Sequence, residues 1–364
     1  MKKNRVNEID LLRFIAAMMV VFFHYAFRGY AADEKSALSY PLLAPTFKYG
    51  YLGVQLFFMI SGFVILMTAA KGSLRNFVIS RLVRLFPAFW VCCTITFLVI
   101  LFAGAPRYVA TFGQYLVNMT MLSGFVKVPS IDGAYWSLFV ELRFYLLISI
   151  MLIVGRIQQA QTFIIIWLIA TIVLLVYPIG ILNSMLITDF AVFFIAGTTF
   201  FLIWAKGISI TRIIIIFVSW CIAVFQSIEG LRYFESHYKT SMNPFVVAAI
   251  ITSFFTIMTF VSISRTGFFG RKRWLFIGAI TYPLYLLHQN IGFIIFNNAY
   301  VYLNIHLLFW STIIGAILSA YLVNFLIERR FSIPLKIALY RFSDYVLFHF
   351  SKFYNRNIEK LIKF

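Results

Sequence analysis

Ten stretches of about twenty predominantly apolar residues follow one another along this 364-residue chain, and they admit essentially one class of fold. They fall at 9–27, 47–69, 83–104, 136–154, 160–177, 185–205, 208–226, 243–263, 274–297 and 303–327. A helix of about 20 residues rises roughly 30 Å, the thickness of a bilayer's hydrocarbon core. Inside that layer only helices and closed barrels satisfy their own backbone hydrogen bonds, and runs this long are helical. With 62% hydrophobic and only 12% charged residues, a soluble globular domain of this length is excluded. The expectation is an all-α, polytopic integral membrane protein with about ten transmembrane helices. The segment 111–125 is too short and too polar to span, and reads as an interfacial or re-entrant piece.

The formal net charge of +19 invites a nucleic-acid reading, but the basic residues sit in the gaps between apolar runs. That placement is a topology signal, so no nucleic acid is expected as a partner. Arg28, Lys35, Lys48, Arg107, Lys127, Arg232 and Lys239 fall in one set of alternate gaps, and Arg13 and Arg143 fall inside spans. The other 22 of the 31 basic residues lie on the side that holds the amino terminus. Both termini are therefore expected to be cytoplasmic. The basic start could mark a secretory signal peptide, but Arg13 interrupts the apolar region that such a peptide needs, and an uncleaved first span is the reading. From 332 to 364 basic and aromatic residues alternate, as expected of a helix lying on an anionic membrane surface. Cys92, Cys93 and Cys221 have no partners at metal or disulfide spacing, so no metal is expected.

Charge inside the spans marks the functional face. Arg13 and His24 are eleven residues apart, three helical turns, so both point to one side about 16 Å apart along the axis, with Asp10 one turn before Arg13. Ionisable groups in a span face a protein interior or a wet cavity, because lipid exposure costs several kcal/mol. Arg81 and Arg84 stand at the mouth of the third run, on the same side of the membrane as Arg13, and guanidinium forks there match phosphate oxygens. His24 and Glu141 fall at similar depth near the other side, where neutral His can take a proton from a hydroxyl and a carboxylate can orient it. Transfer of an acyl group from a phosphate-bearing donor to a hydroxyl on the far side fits this sorting. A transporter or flippase using Arg13, His24 and Glu141 as an ion or substrate path is the alternative. His288 reads equally well as a core histidine bonded to a backbone carbonyl, Glu328 as a snorkelling or capping residue, and Ser61-Gly62-Phe63 as close helix packing rather than a nucleophile.

Six motifs in order carry a resemblance. They are IDLLR at 9–13 followed by His24, an R-x10-H pattern, then GVQLFFMISGF at 53–63, RLVRLFP at 81–87, WSLFVELRFYLL at 136–147, TYPLYLLH at 281–288 and LIERRF at 326–331. Together they resemble the acyltransferase 3 family, membrane O-acyltransferases that modify exported glycans. Gln55 and Leu11 depart from the family's pattern, which often has Asp or Glu and Gly there. The resemblance implies a transmembrane acyltransferase-like domain over 1–331 and an acyl-CoA donor; the expectation drawn from it is acetyl-CoA as donor, a lipid-linked or exported polysaccharide as acceptor, and a multi-pass protein of a bacterial inner membrane, with another acyl group such as succinyl as a further option. It implies His24 and Arg13 as the essential pair and suggests roles for Arg81, Arg84 and Glu141; with the charge pattern above, the expectation is His24 as general base, Glu141 or Asp10 as polar support, and Arg81, Arg84 and Arg13 contacting the donor. His288, Tyr285, Trp136 and Ser61 are further candidates for the substrate pocket.

Overall fold

In the computed structural model, residues 6–32 and 34–362 are described, with side chains as far as His349. Every element is helical among them. Eleven long helices are α1 (Asn7–Phe22), α2 (Gly53–Ala69), α3 (Leu74–Ala103), α4 (Trp136–Ile153), α5 (Ala160–Val176), α6 (Ala191–Lys206), α7 (Ile210–Glu229), α8 (Pro244–Ser262), α9 (Leu275–Ala299), α10 (Ile305–Val323) and α11 (Arg329–Ile362). The first ten coincide with the ten apolar runs. Nine helical segments among the described residues are long and apolar enough to cross a membrane, and α9 is the long helix outside that set. Its 25 residues are ample for a crossing, but Thr281, His288, Gln289 and Asn290 dilute its apolar character. Those side chains are buried rather than exposed to lipid, because α9 packs against α1, α3 and α10 in the middle of the bundle. Polar residues in a central helix are the mark of an internal site.

The other central contact is α2 against α6. Gly62 and Gly197 bring the two backbones together, since a Cβ at Gly197 would stand 1.9 Å from the Met59 carbonyl oxygen and one at Gly62 2.4 Å from that of Phe194. Small residues at such a crossing substitute van der Waals contact for the hydrophobic drive that lipid cannot supply. The Gly62 expectation of close packing is thus met.

The segment 111–125 holds only the short helix Phe112–Met119, opened by a Thr111–Gln114 capping box, and does not span. The apolar run at 185–205 divides into the short helix Gly180–Leu186 and α6. Helix α11 continues α10 through a π-helical turn, Asn324–Glu328, and packs against α3, where Arg75 pairs with Asp344 at 2.7 Å.

Candidate active site

Two clusters of polar groups stand in the bundle, one above the other along α1. The lower one surrounds a cavity holding about 740 Å³ of empty space including its open mouth. Arg13 of α1, Arg81 and Arg84 of α3, Ser61 of α2, Glu141 of α4 and Tyr282 and Tyr285 of α9 all line it. Arg81 and Arg84, three residues apart, share a face of α3 by helical geometry. The Arg81 guanidinium lies over the rings of Phe77 and Tyr145, at 5.9 and 5.8 Å, and donates to Thr68 Oγ1 at 3.4 Å. Arg84 lies over the Tyr282 ring at 5.7 Å, with its Nη1 3.5 Å from Glu328 Oε1. Stacking on neutral rings fixes the guanidinium planes without neutralising their charge.

Glu141 is the carboxylate of this cavity. Its Oε1 accepts from Ser61 Oγ at 2.8 Å and from Tyr145 Oη at 2.9 Å. Arg13 is within electrostatic reach of Asp10, Glu141, Arg81 and Arg84. Asp10 is buried beside Gly278, where an added Cβ would come within 2.5 Å of the Asp10 Cβ, so a larger residue at 278 would displace it. The wall therefore carries three guanidinium groups and one carboxylate, a net positive surface. Between them Val54, Phe57, Phe58, Ile65, Leu85 and Leu138 make an apolar lining. Such a cavity suits an anionic group joined to a flexible, weakly polar arm.

The second cluster is a pair of imidazoles. His24 is in a π-helical turn, Phe23–Arg28, that continues α1, and π-turns of this kind gather at functional sites. Its Nδ1 stands 2.7 Å from Nε2 of His288 in α9, and the rings are stacked with centroids 4.9 Å apart. His288 is wholly buried, and its Nδ1 lies 2.8 Å from the Tyr285 carbonyl oxygen. Tyr25 ties the turn to α9 by donating from its hydroxyl to the His288 carbonyl at 2.6 Å.

Tyr285 separates the two clusters. Its ring lies 5.6 Å from that of His288 on one side and 5.7 Å from Phe57 on the other. Its hydroxyl is 2.7 Å from Ser137 Oγ and donates to the Ala134 carbonyl at 3.0 Å. Arg13 lines the cavity, whereas His24 and His288 are not among its lining residues. Tyr285 lines the cavity and is also in ring contact with His288, so it touches both clusters. The expectation of His24 beside Glu141 is replaced: Glu141 belongs with the arginines, and the partner of His24 is another histidine. Counting residues along a helix gives each side chain an expected depth, but the neighbours α4 presents Glu141 to are set by tertiary packing. Trp136 is 42% exposed and packs edge-on to Phe58 rather than lining the cavity. Ser61, which has no base near it in sequence, has the Glu141 carboxylate in space.

Two carboxylates carry more than the sequence indicated. Glu328, read as a snorkelling or capping residue, is buried, accepts from Asn324 Nδ2 and faces Arg84. Asp132 lies in the loop before α4, wholly buried, with Oδ1 accepting from the Ala134 amide at 2.8 Å and Oδ2 from the Asn290 amide at 2.9 Å. Asn290 returns a bond from its Nδ2 to the Ile131 carbonyl at 2.9 Å, so this loop is clamped two residues beyond His288. Burial pushes the Asp132 carboxyl up to about 6, against the pull of the two amide bonds. The Asp132-Gly133 pair ahead of an apolar run is a helix-capping signal, and it was the only cue available in sequence.

A sequence profile described as an acyltransferase domain, that of the acyltransferase 3 family, matches residues 6–329. Nodulation protein 10 of Rhizobium leguminosarum bv. viciae is 28% identical over 172 residues, covering 41% of this chain and 45% of that protein. Regulator of hypoxia-inducible factor 1 of Caenorhabditis elegans is 26% identical over 178 residues, covering 42% of this chain and 35% of that protein. The matches thus span less than half the length of these curated relatives. No solved structure matches the chain significantly.

Proposed function

The chain belongs to the acyltransferase 3 family, and on that premise we propose that it is a membrane O-acetyltransferase. It takes acetyl from acetyl-CoA on the cytoplasmic side and passes it to a hydroxyl of a lipid-linked or exported polysaccharide, in the inner membrane of a bacterium. The observation that supports this reading is the convergence of Arg13, Arg81 and Arg84 on one cavity that Tyr285 also lines, with the Tyr285 ring against His288 of the His24–His288 pair.

Arg81 and Arg84 hold the donor's phosphates by charge-assisted hydrogen bonds. The apolar lining receives the arm, and Arg13, steadied by Asp10 and Glu141, stands further along the wall toward the thioester. His24 is the general base. It takes the proton of the acceptor hydroxyl as the oxygen attacks the acyl carbonyl, and returns that proton to the thiolate released when the carbon–sulfur bond breaks. Tyr285 rotates away to join the cavity to the histidines.

The test is purified protein given acetyl-CoA labelled in the acetyl group and a polysaccharide or lipid-linked sugar acceptor. Free thiol should appear with ester-linked label on the acceptor, and His24→Ala should abolish both. Solute or proton flux through reconstituted protein with no thioester consumed would overturn the proposal in favour of a transporter.

A further inference from the structure

The hydrogen bonds of the imidazole pair determine which nitrogen of His24 is reactive. His288 Nδ1 stands 2.8 Å from a carbonyl oxygen, which can only accept, so Nδ1 carries a proton. In neutral His288 the remaining nitrogen, Nε2, then holds a lone pair. That lone pair is 2.7 Å from His24 Nδ1, so Nδ1 of His24 must be the donor. A neutral His24 has one N–H, and with Nδ1 protonated its Nε2 is left bare. We infer that His288 is a positioning residue that locks His24 in its Nδ1–H tautomer and makes Nε2 the base that receives the acceptor proton. The role rests on the acyl-transfer reading above, whereas the tautomer itself does not.

The arrangement has the logic of a base oriented by a third group, with an imidazole where a carboxylate is usual. The balance is simple. The proton of the acceptor hydroxyl goes to His24 Nε2, both nitrogens of His24 are then protonated, and Nδ1–H remains bonded to His288 Nε2. When the carbon–sulfur bond breaks, the Nε2 proton passes to the thiolate sulfur and His24 returns to its starting tautomer. His288 neither gains nor loses a proton, because Tyr285 keeps its Nδ1–H engaged throughout. If His288 were doubly protonated, its Nε2–H would donate to His24 instead. The lone pair of His24 would then be turned inward and the base lost.

The backbone is built to hold this pair. Tyr25, the residue after His24, donates to the carbonyl of His288 itself, and Asp132 clamps the amide of Asn290 two residues on. A general base held in the wrong tautomer forfeits the 10²–10⁴-fold that proton transfer contributes.

Two experiments test the inference. The first is ¹⁵N NMR of histidine-labelled protein in lipid, with His24→Gln and His288→Gln used to assign the signals. His24 should show a protonated Nδ1 and a bare Nε2 near neutral pH. A protonated Nε2 with a bare Nδ1 would overturn the inference whatever reaction the protein performs. The second compares His288→Gln, which keeps an acceptor oxygen for the His24 N–H, with His288→Leu, which removes it. Relative to the parent, kcat should fall on the order of tenfold for Gln and on the order of 10³-fold for Leu, with KM for acetyl-CoA unchanged because His288 lies outside the arginine cavity. Equal activity of the Leu and Gln variants in protein of parental melting temperature would reduce His288 to packing and refute its positioning role.

Discussion

Replacing Arg81 and Arg84 one at a time by Gln should separate binding from stability, because their surroundings differ. Among the described residues, the side-chain contacts of Arg81 are with neutral groups, the rings of Phe77 and Tyr145 and the hydroxyls of Thr68 and Ser80, although it shares the cavity with Glu141 and two other arginines. Its removal breaks no ion pair among the described residues, so Arg81→Gln should leave the melting temperature within about a degree or two. If the guanidinium makes one charge-assisted bond to a donor phosphate, its loss costs about 1.5–3 kcal/mol of binding, or roughly 10- to 150-fold in KM for acetyl-CoA. Arg84 should cost a similar factor and also stability. Its Nη1 is the cation 3.5 Å from Glu328, whose side chain is only 9% exposed. Breaking a fully buried pair costs 3–5 kcal/mol, but the Arg84 side chain is 36% exposed and the contact is long, so about 1–2 kcal/mol is the expected share. The assay is initial-rate thiol release against acetyl-CoA concentration, paired with thermal melts in detergent. Unchanged KM for both variants would return them to the role of topology anchors. A melting loss for Arg81→Gln equal to that of Arg84→Gln would refute the assignment of the ion pair.

Other consequences follow from individual contacts. Gly197→Ala forces a Cβ into the Met59 carbonyl, so α2 and α6 must part, and thermal stability should fall by about 1–3 kcal/mol. Gly113→Ala, which meets nothing within 4 Å, should be neutral or slightly stabilising, and an equal loss in both would show that the crossing is looser than described. The Asp132 carboxyl is raised from 3.8 to about 6. An acid shifted upward on folding binds more protons in the folded state across that window, so stability falls as pH rises from 4 to 6, by up to roughly 3 kcal/mol. Asp132→Asn should remove that slope from the melting curve, and an identical pH dependence in parent and variant would disprove it. Glu141→Gln keeps an acceptor for Ser61 and Tyr145 but takes the carboxylate from among three arginines. Measured kcat should fall about tenfold or more with the hydrogen bonds intact, whereas unchanged kcat would make Glu141 purely structural.

Helix positions were legible because a bilayer imposes length and apolarity on every crossing, and the ten runs correspond to ten long helices. Residues of the site were legible in two ways: Arg13 and Glu141 because a charge in lipid is costly, and Arg81 and Arg84 because two arginines one turn apart at a helix mouth match phosphate; one cavity holds all four. What sequence could not supply was the rotation of one helix against another. Glu141 sits with the arginines and His24 with His288, because α9 packs against both α1 and α3 and presents His288 to His24. The separation of His24 from His288 by 264 positions leaves no local pattern to read. Polar residues buried in α9 were the available hint, since a helix with fewer apolar residues than its neighbours belongs inside the bundle. Asp132 was missed for a related reason: it is a loop residue, and only the fold shows that its loop is buried.

The central claim is that one path joins the arginine cavity to His24 once Tyr285 moves. The most direct measurement is a cryo-EM structure with a non-hydrolysable acetyl-CoA analogue bound. The account predicts phosphates between Arg81 and Arg84, the arm running along Ser61 and Phe57, Tyr285 swung from Ser137, and the acyl carbon within hydrogen-bonding reach of an acceptor oxygen held at His24 Nε2. Coenzyme density outside this cavity, or an acyl end ordered beneath an unmoved Tyr285 with acetyl transfer intact, would contradict it.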